Sequence, residues 1–338
     1  MTKNPPPPAV MFRLIIGRWV SHMIYVAAKL ELADRLKDGP RTVEELATAV
    51  EVQGPALYRL LRALASVGVF AETKDKRFKL TPLGATLQKG VHGSLHAAAL
   101  IFGEKYQEDA RAQLLHGLKT GETPFLKAHG VPPFEYLEKH PEDMKVFGEA
   151  MTSVSSMENP AIAGAYKFSG IRTLVDVGGG NGSLLSTILK ANPKLRGVLF
   201  DQPSVITRAK QDRHVTAKGI VERCAFESGD FFAAVPKGCD AYIMKRVLHD
   251  WDDEQCAKIL ANCRAAMREK GRVLVAESVI LPGNDTDRGK LLDMQMLVMG
   301  GRERTKQEFA SVFRAAGLKL TRVVSTKCPL SIVEGVRA

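Results

Sequence analysis

Two hydrophobic rhythms divide the chain. In its first quarter the apolar residues fall at helical spacing: Ile15, Trp19, Met23, Val26 and Leu30 form one stripe. Thr42-Val-Glu-Glu45 is a capping-box signal that opens a second helix. Gly54-Pro55 restarts the chain into a third, whose apolar face carries Leu57, Leu60, Leu61 and Leu64 and which stops at Gly68. Val69-Phe70 and Arg77–Leu80, separated by the polar turn Lys74-Asp75-Lys76, predict a hairpin. Helices followed by a hairpin in this order are a winged-helix pattern. Ahead of them, Pro5–Pro8 predict a short, stiff, extended arm that does not join a helix.

The second half has a different rhythm, in which short apolar runs alternate with helical stretches. Leu174–Val177 leads into Gly178, Gly180 and Gly182, a buried strand turning sharply into a helix at Leu184–Lys190. The glycines let a ligand lie against bare backbone N–H groups at a helix N-terminus. Their spacing is G-x-G-x-G, with Ser183 where the dinucleotide fingerprint has its third glycine. Gly197–Asp201 is a second run ending in an acid, the place where a ribose would find a carboxylate. A third acid, Asp230, precedes Phe231, which can cover a flat ring. Ala241–Leu248 reads as a fourth strand running into His249, and Val273–Glu277 as a fifth. Leu318–Ser325 and Leu330–Val333 predict a closing hairpin. Ligands of open α/β sheets bind beyond the carboxyl ends of the strands, where these acids and His249 fall.

Charge and cysteine content narrow the classes. The net charge is +11, but it is spread over the chain, with 14 Lys/Arg against 8 Asp/Glu in residues 1–100 and the remaining 34 against 29. The would-be recognition helix (55–67) offers only Arg59 and Arg62 among apolar residues. A groove reader needs more phosphate contacts and base-edge donors, so the pattern argues against nucleic acid as a partner. Five cysteines without C-x-x-C spacing read as reduced thiols of a cytoplasmic protein. Arg13, Arg18 and Lys29 interrupt the first apolar stretch, so no uncharged window is expected to span a membrane.

The motifs LVDVGGGNG (174–182), LFDQP (199–203), SGDFF (228–232), MKRVLHDWDDEQC (244–256), VLVAES (273–278) and GGRERTKQEF (300–309) stand in order. Through them the chain resembles the caffeic acid O-methyltransferase-like family of S-adenosylmethionine-dependent O-methyltransferases, in its bacterial form. The resemblance implies an α/β fold: a Rossmann-like methyltransferase sheet with an N-terminal, mostly helical winged-helix dimerisation domain. It implies a winged-helix domain at 1–100, a helical linker at 101–158 contributing to the substrate pocket, and a cofactor domain at 159–338. It further implies a homodimer, an aromatic small-molecule acceptor and no metal.

Methyl transfer to a hydroxyl requires the oxygen to approach an anion, and a phenol has pKa about 10, so a nearby base is needed. His249 is the candidate, and carboxylates at its other ring nitrogen would fix the imidazole. Glu277 and Glu303 match the family's flanking acids. The cofactor positions carried over are Gly178, Gly180, Asp201, Asp230, Phe231 and Lys245. Phe147, Met151, Asp293 and Met296 are substrate-side candidates. Arg246, where plant enzymes often carry tryptophan, is expected to meet an acceptor carboxylate or phenolate. Asp252 and Gln255 are read as a helix cap rather than metal ligands, since no His/Cys/carboxylate set has ligand spacing. Two rival readings stand beside this one: a cofactor-binding enzyme of the same fold that does not methylate, and a ligand-sensing winged-helix regulator.

Overall fold

The computed structural model describes residues 5–338, and the chain divides into two compact units, one of residues 1–109 and 134–154 and the other of 110–133 and 155–338. The segment 101–158, expected to be a single linker, is therefore shared between both units.

The first unit begins with the helix Pro7–Lys29. Pro7 and Pro8 belong to it, contrary to the extended arm expected of Pro5–Pro8: a proline in the first turn loses no hydrogen bond, because that N–H has no intrahelical partner anyway. Only the end of this helix is buried within its own unit, at Ala27 and Ala28. Met11, Phe12, Leu14, Ile15 and Trp19 are exposed, so two of the five residues of the predicted stripe, Ile15 and Trp19, cover nothing here. By length and composition the helix could cross a bilayer despite Arg13 and Arg18, the one candidate span among the described residues. Thr42 and Glu45 form the predicted capping box of the helix Val43–Ala49. The helix Gly54–Ser66 buries Leu57, Leu61 and Leu64 beside β1 (Phe70–Glu72) and β2 (Phe78–Leu80), which pair antiparallel.

The second unit is built on a seven-stranded sheet. Its strands are β3 (Thr173–Val177), β4 (Arg196–Asp201), β5 (Cys224–Ser228), β6 (Ala241–Lys245), β7 (Arg272–Glu277), β10 (Leu318–Ser325) and β11 (Ser331–Arg337), in spatial order β10-β11-β7-β6-β3-β4-β5. A further parallel pair, β8 (Val279–Ile280) with β9 (Arg304–Thr305), lies just beyond β7 in sequence. Strands β3 to β7 run parallel, and the β10–β11 hairpin adds antiparallel to β7.

Alternation within each strand feeds two cores. Leu174, Leu199, Ile243 and Leu274 pack with Leu185 and Ile188 on one face, while Val175, Val177, Tyr242 and Val273 pack with Ile259, Phe309 and Phe313 on the other. Each fully buried aliphatic side chain contributes about 1.5–3 kcal/mol. The strand order reverses between β3 and β6, so the turns after these two strands flank the crevice where such sheets bind ligands.

Candidate functional site

The turn after β3 owes its shape to glycine. Gly178, Gly180 and Gly182 all have positive φ (67°, 58° and 75°). A Cβ on Gly178 would sit 2.9 Å from Val247 Cγ2, whereas one on Gly180 would meet nothing within 4 Å. The N–H groups of the turn are already engaged: Gly178 donates to Phe200 O (2.9 Å) and Gly180 to Asp201 Oδ2 (2.9 Å). The glycines therefore offer a bare, close surface rather than the free donors expected from sequence. Asp201 ends β4, and its Oδ1 accepts the Gln202 N–H, so each oxygen keeps a lone pair for a further donor. Asp230 is exposed and accepts from Phe232 N (2.8 Å). Phe231 packs edge-on to Trp251 and Phe232 and reaches 3.9 Å from where a Gly178 Cβ would lie.

The acid of the first run joins this rim, and sequence reasoning missed the groups that reach it from a distant helix, Ser155, Glu158 and Asn159. Asp176, inside β3, is buried, and its Oδ2 has no hydrogen-bond partner. Burial pushes its carboxyl up to about 7 against the pull of Lys245. Lys245 Nζ donates to Ser155 Oγ (2.6 Å) and Asn159 Oδ1 (2.8 Å), with Glu158 Oε2 at 3.8 Å. Burial holds this ammonium down at about 8, although Glu158 and Asp176 favour its charge. Ser155, Glu158 and Asn159 all come from one helix, Pro141–Ala165, and no local pattern marks which of its residues reach β6.

The predicted fourth strand ends three residues early. Arg246 takes φ 53°, which turns the chain off the sheet, and Leu248–Asp250 form a 3₁₀ turn. The Arg246 side chain is already bound: Nη2 donates to Glu158 Oε1 (2.5 Å) and Nε to Oε2 (3.3 Å). Arg246 thus forms an internal ion pair with the buried Glu158, which Lys245 also approaches.

His249 and three carboxylates meet beyond this turn. Its Nδ1 lies 2.9 Å from Glu303 Oε1 and 3.7 Å from Glu277 Oε2, and its Nε2 is 3.6 Å from Asp250 Oδ1. Glu277, at the end of β7, is itself fixed by the Val247 and Leu248 N–H groups donating to its Oε1 (2.9 and 3.0 Å). Glu277 Oε2 and Glu303 Oε2 are buried without partners. Burial alone would lower the imidazole pKa, but Glu277, Asp250 and Glu303 outweigh it and raise it to about 9. Burial raises Glu277 to about 7, with His249 pulling the other way. Nδ1 faces Glu303 and Nε2 faces Asp250, so carboxylates flank both ring nitrogens.

The remaining candidates divide. Asp293 Oδ1 accepts the Glu303 N–H (2.8 Å), so it supports the loop carrying that glutamate. Met296 is buried, its Cε 2.8 Å from the Cβ that Gly301 lacks. Phe147 and Met151 belong to the first unit, packed against Ala97, Ile101 and Ala150. Asp252 and Gln255 form the expected capping box. Sequence spacing gave no metal-ligand set, yet folding brings one ligand-type atom each of His249, Glu277 and Glu303 within 4.8 Å of one another. All five cysteines are free thiols.

The family profile "O-methyltransferase domain" matches residues 109–319, and "O-methyltransferase dimerisation domain" matches residues 12–90. The chain is 44% identical to phenazine O-methyltransferase PhzM of Lysobacter antibioticus, over 97% of this chain and 96% of that protein. It is 38% identical to the mitomycin biosynthesis 6-O-methyltransferase of Streptomyces lavendulae, over 96% and 93%. Among solved structures, the S-adenosylhomocysteine-bound form of CalO1, a methyltransferase in calicheamicin biosynthesis, matches with TM-score 0.87 and 36% identity, over 99% of this chain and all of that one.

Proposed function

This chain belongs to the O-methyltransferase family, and on that premise we propose that it methylates a hydroxyl on a fused aromatic small molecule of the phenazine or quinone kind, with His249 as general base. S-adenosylmethionine supplies the methyl group when bound. The crevice suits it on three counts: the bare glycine surface, the lone pairs of Asp201 for hydroxyls, and the unpartnered Asp176 Oδ2 with Lys245 for the two charged ends of an amino acid.

The observation that carries the reading is the His249–Glu303 contact at 2.9 Å inside a carboxylate cage. Glu303 holds the Nδ1 proton, which aims Nε2 at the acceptor hydroxyl. As the oxygen loses its proton to Nε2, the imidazolium is stabilised by Glu303 and Glu277. With a pKa raised to about 9 this imidazole is a stronger base than an ordinary one near 6.5, and it accepts the phenol's proton once rising pH has freed Nε2. Glu277 and Glu303 are buried, so their charges act in a medium that screens them weakly.

The exposed apolar face of the helix Pro7–Lys29, inside the dimerisation match, supports association of two copies of the chain through the first unit. Free thiols throughout agree with a cytoplasmic location. The test is turnover of a hydroxylated phenazine with S-adenosylmethionine, read as S-adenosylhomocysteine released. Absence of product from a panel of hydroxylated phenazines and naphthoquinones, in a sample that binds the cofactor, would sink the acceptor assignment.

A further inference from the structure

We infer that Arg304 is a positioning residue for His249, gripping the backbone of the catalytic turn independently of Glu303. This rests on the reading of His249 as the base.

Arg304 is 1% exposed, the largest fully buried side chain among the described residues. Its guanidinium reaches three groups around one turn. Nη1 donates to Leu248 O (3.0 Å), Nη2 to Trp251 O (2.8 Å), and Nε to Asp253 Oδ1 (2.9 Å). Leu248 and Trp251 bracket His249, so the fork holds both ends of the segment that carries the imidazole. Only a planar guanidinium can serve two carbonyls and a carboxylate at once; an ammonium is a point donor.

The neighbours of Arg304 act on the same turn. Arg302 N donates to His249 O (2.8 Å). Gly301 passes so close that a Cβ there would lie 2.0 Å from His249 O. Arg304 itself begins β9, paired in parallel with Val279, two residues past Glu277. The segment 301–304 is therefore stitched to the strand end that supplies one carboxylate, carries the other, and clamps the histidine between them. A buried cation with no contact to the reacting groups is costly unless paired, and here its pairing is devoted to holding carbonyls in place.

The test uses the full-length chain labelled with ¹⁵N-histidine, the His249 resonance being assigned by its loss in His249→Ala. In Arg304→Lys the charge partner Asp253 is retained but the carbonyl fork is lost. The His249 titration midpoint is expected to fall by about one pH unit as the Nδ1–Glu303 contact loosens. Turnover of a hydroxylated phenazine is expected to fall about tenfold to a hundredfold, with the KM for S-adenosylmethionine unchanged. In the His249→Ala background the same substitution is expected to leave the residual rate unchanged, because a clamp with nothing to position has no effect. If Arg304→Lys does not fold by circular dichroism, Arg304→Gln carries the same test, since its shorter amide cannot span both carbonyls and Asp253. An unaltered His249 titration in the folded variant overturns the inference. Wild-type turnover by His249→Ala would instead overturn the base assignment, and the titration still judges the clamp.

Discussion

The two buried charge clusters at the rim of the sheet look alike in composition and differ in how completely they are satisfied. Around Lys245 the cations are matched: its ammonium has Ser155, Asn159 and Glu158, and Arg246 closes on the same glutamate through two contacts, while Asp176 Oδ2 beside them stays open for a ligand. Around His249 the charges do not match. Three carboxylates face one imidazole, and Glu277 Oε2 and Glu303 Oε2 have no hydrogen-bond partner. A cluster with matched cations fixes geometry; one with surplus negative charge stabilises an added proton. The first therefore suits holding a ligand and the second suits receiving a proton.

The sharpest break of this contrast is His249→Ala. Removing a general base is expected to lower kcat by about 10²- to 10⁴-fold while leaving cofactor affinity intact, measured by titration calorimetry alongside turnover. Glu303→Gln comes next. Loss of a charge-assisted hydrogen bond costs about 1.5–3 kcal/mol, so kcat is expected to fall by roughly ten- to a hundredfold. The sign of its pH effect also follows. The base works only when Nε2 is free, so wild-type kcat/KM rises with pH until about 9. Taking away one carboxylate destabilises the imidazolium, so the rising limb of Glu303→Gln moves to lower pH. A limb that stays in place would detach Glu303 from the base.

The matched cluster is expected to answer differently. Lys245→Met is expected to weaken S-adenosylmethionine binding about tenfold, or 1.4 kcal/mol, with kcat at saturation close to wild type. A large fall in kcat instead would erase the distinction between the clusters. The smallest effect belongs to metal removal. His249, Glu277 and Glu303 lie close enough to suggest a metal, but a proton-accepting imidazole needs none, so dialysis against a chelator is expected to leave turnover unchanged.

The features legible in sequence are those written in local patterns. The glycine turn, the acids ending β4 and β7 and the capping boxes at Thr42 and Asp252 depend on near neighbours, and each stands where its pattern put it. The misses are tertiary. Arg246 adopts positive φ and pairs with Glu158, some ninety positions earlier, and no composition rule marks an arginine for either. Asp176 is legible as the acid of the first apolar run, but its orphaned oxygen is not, because distant segments decide which donors reach it. Pro7 and Pro8 were misread because a proline that breaks a helix interior is harmless in its first turn. Ile15 and Trp19 have the spacing of a core stripe, and spacing alone does not tell a residue's own core from a surface left for a partner.

That uncovered stripe on the first helix links heat resistance to dilution. A chain that associates through apolar side chains gains stability by mass action, so its melting temperature should depend on how much protein is in the tube. Assays run at nanomolar enzyme would then sample a less robust population than a calorimeter loaded at high concentration, and activity lost on standing at low concentration would reflect dissociation rather than damage at the catalytic rim.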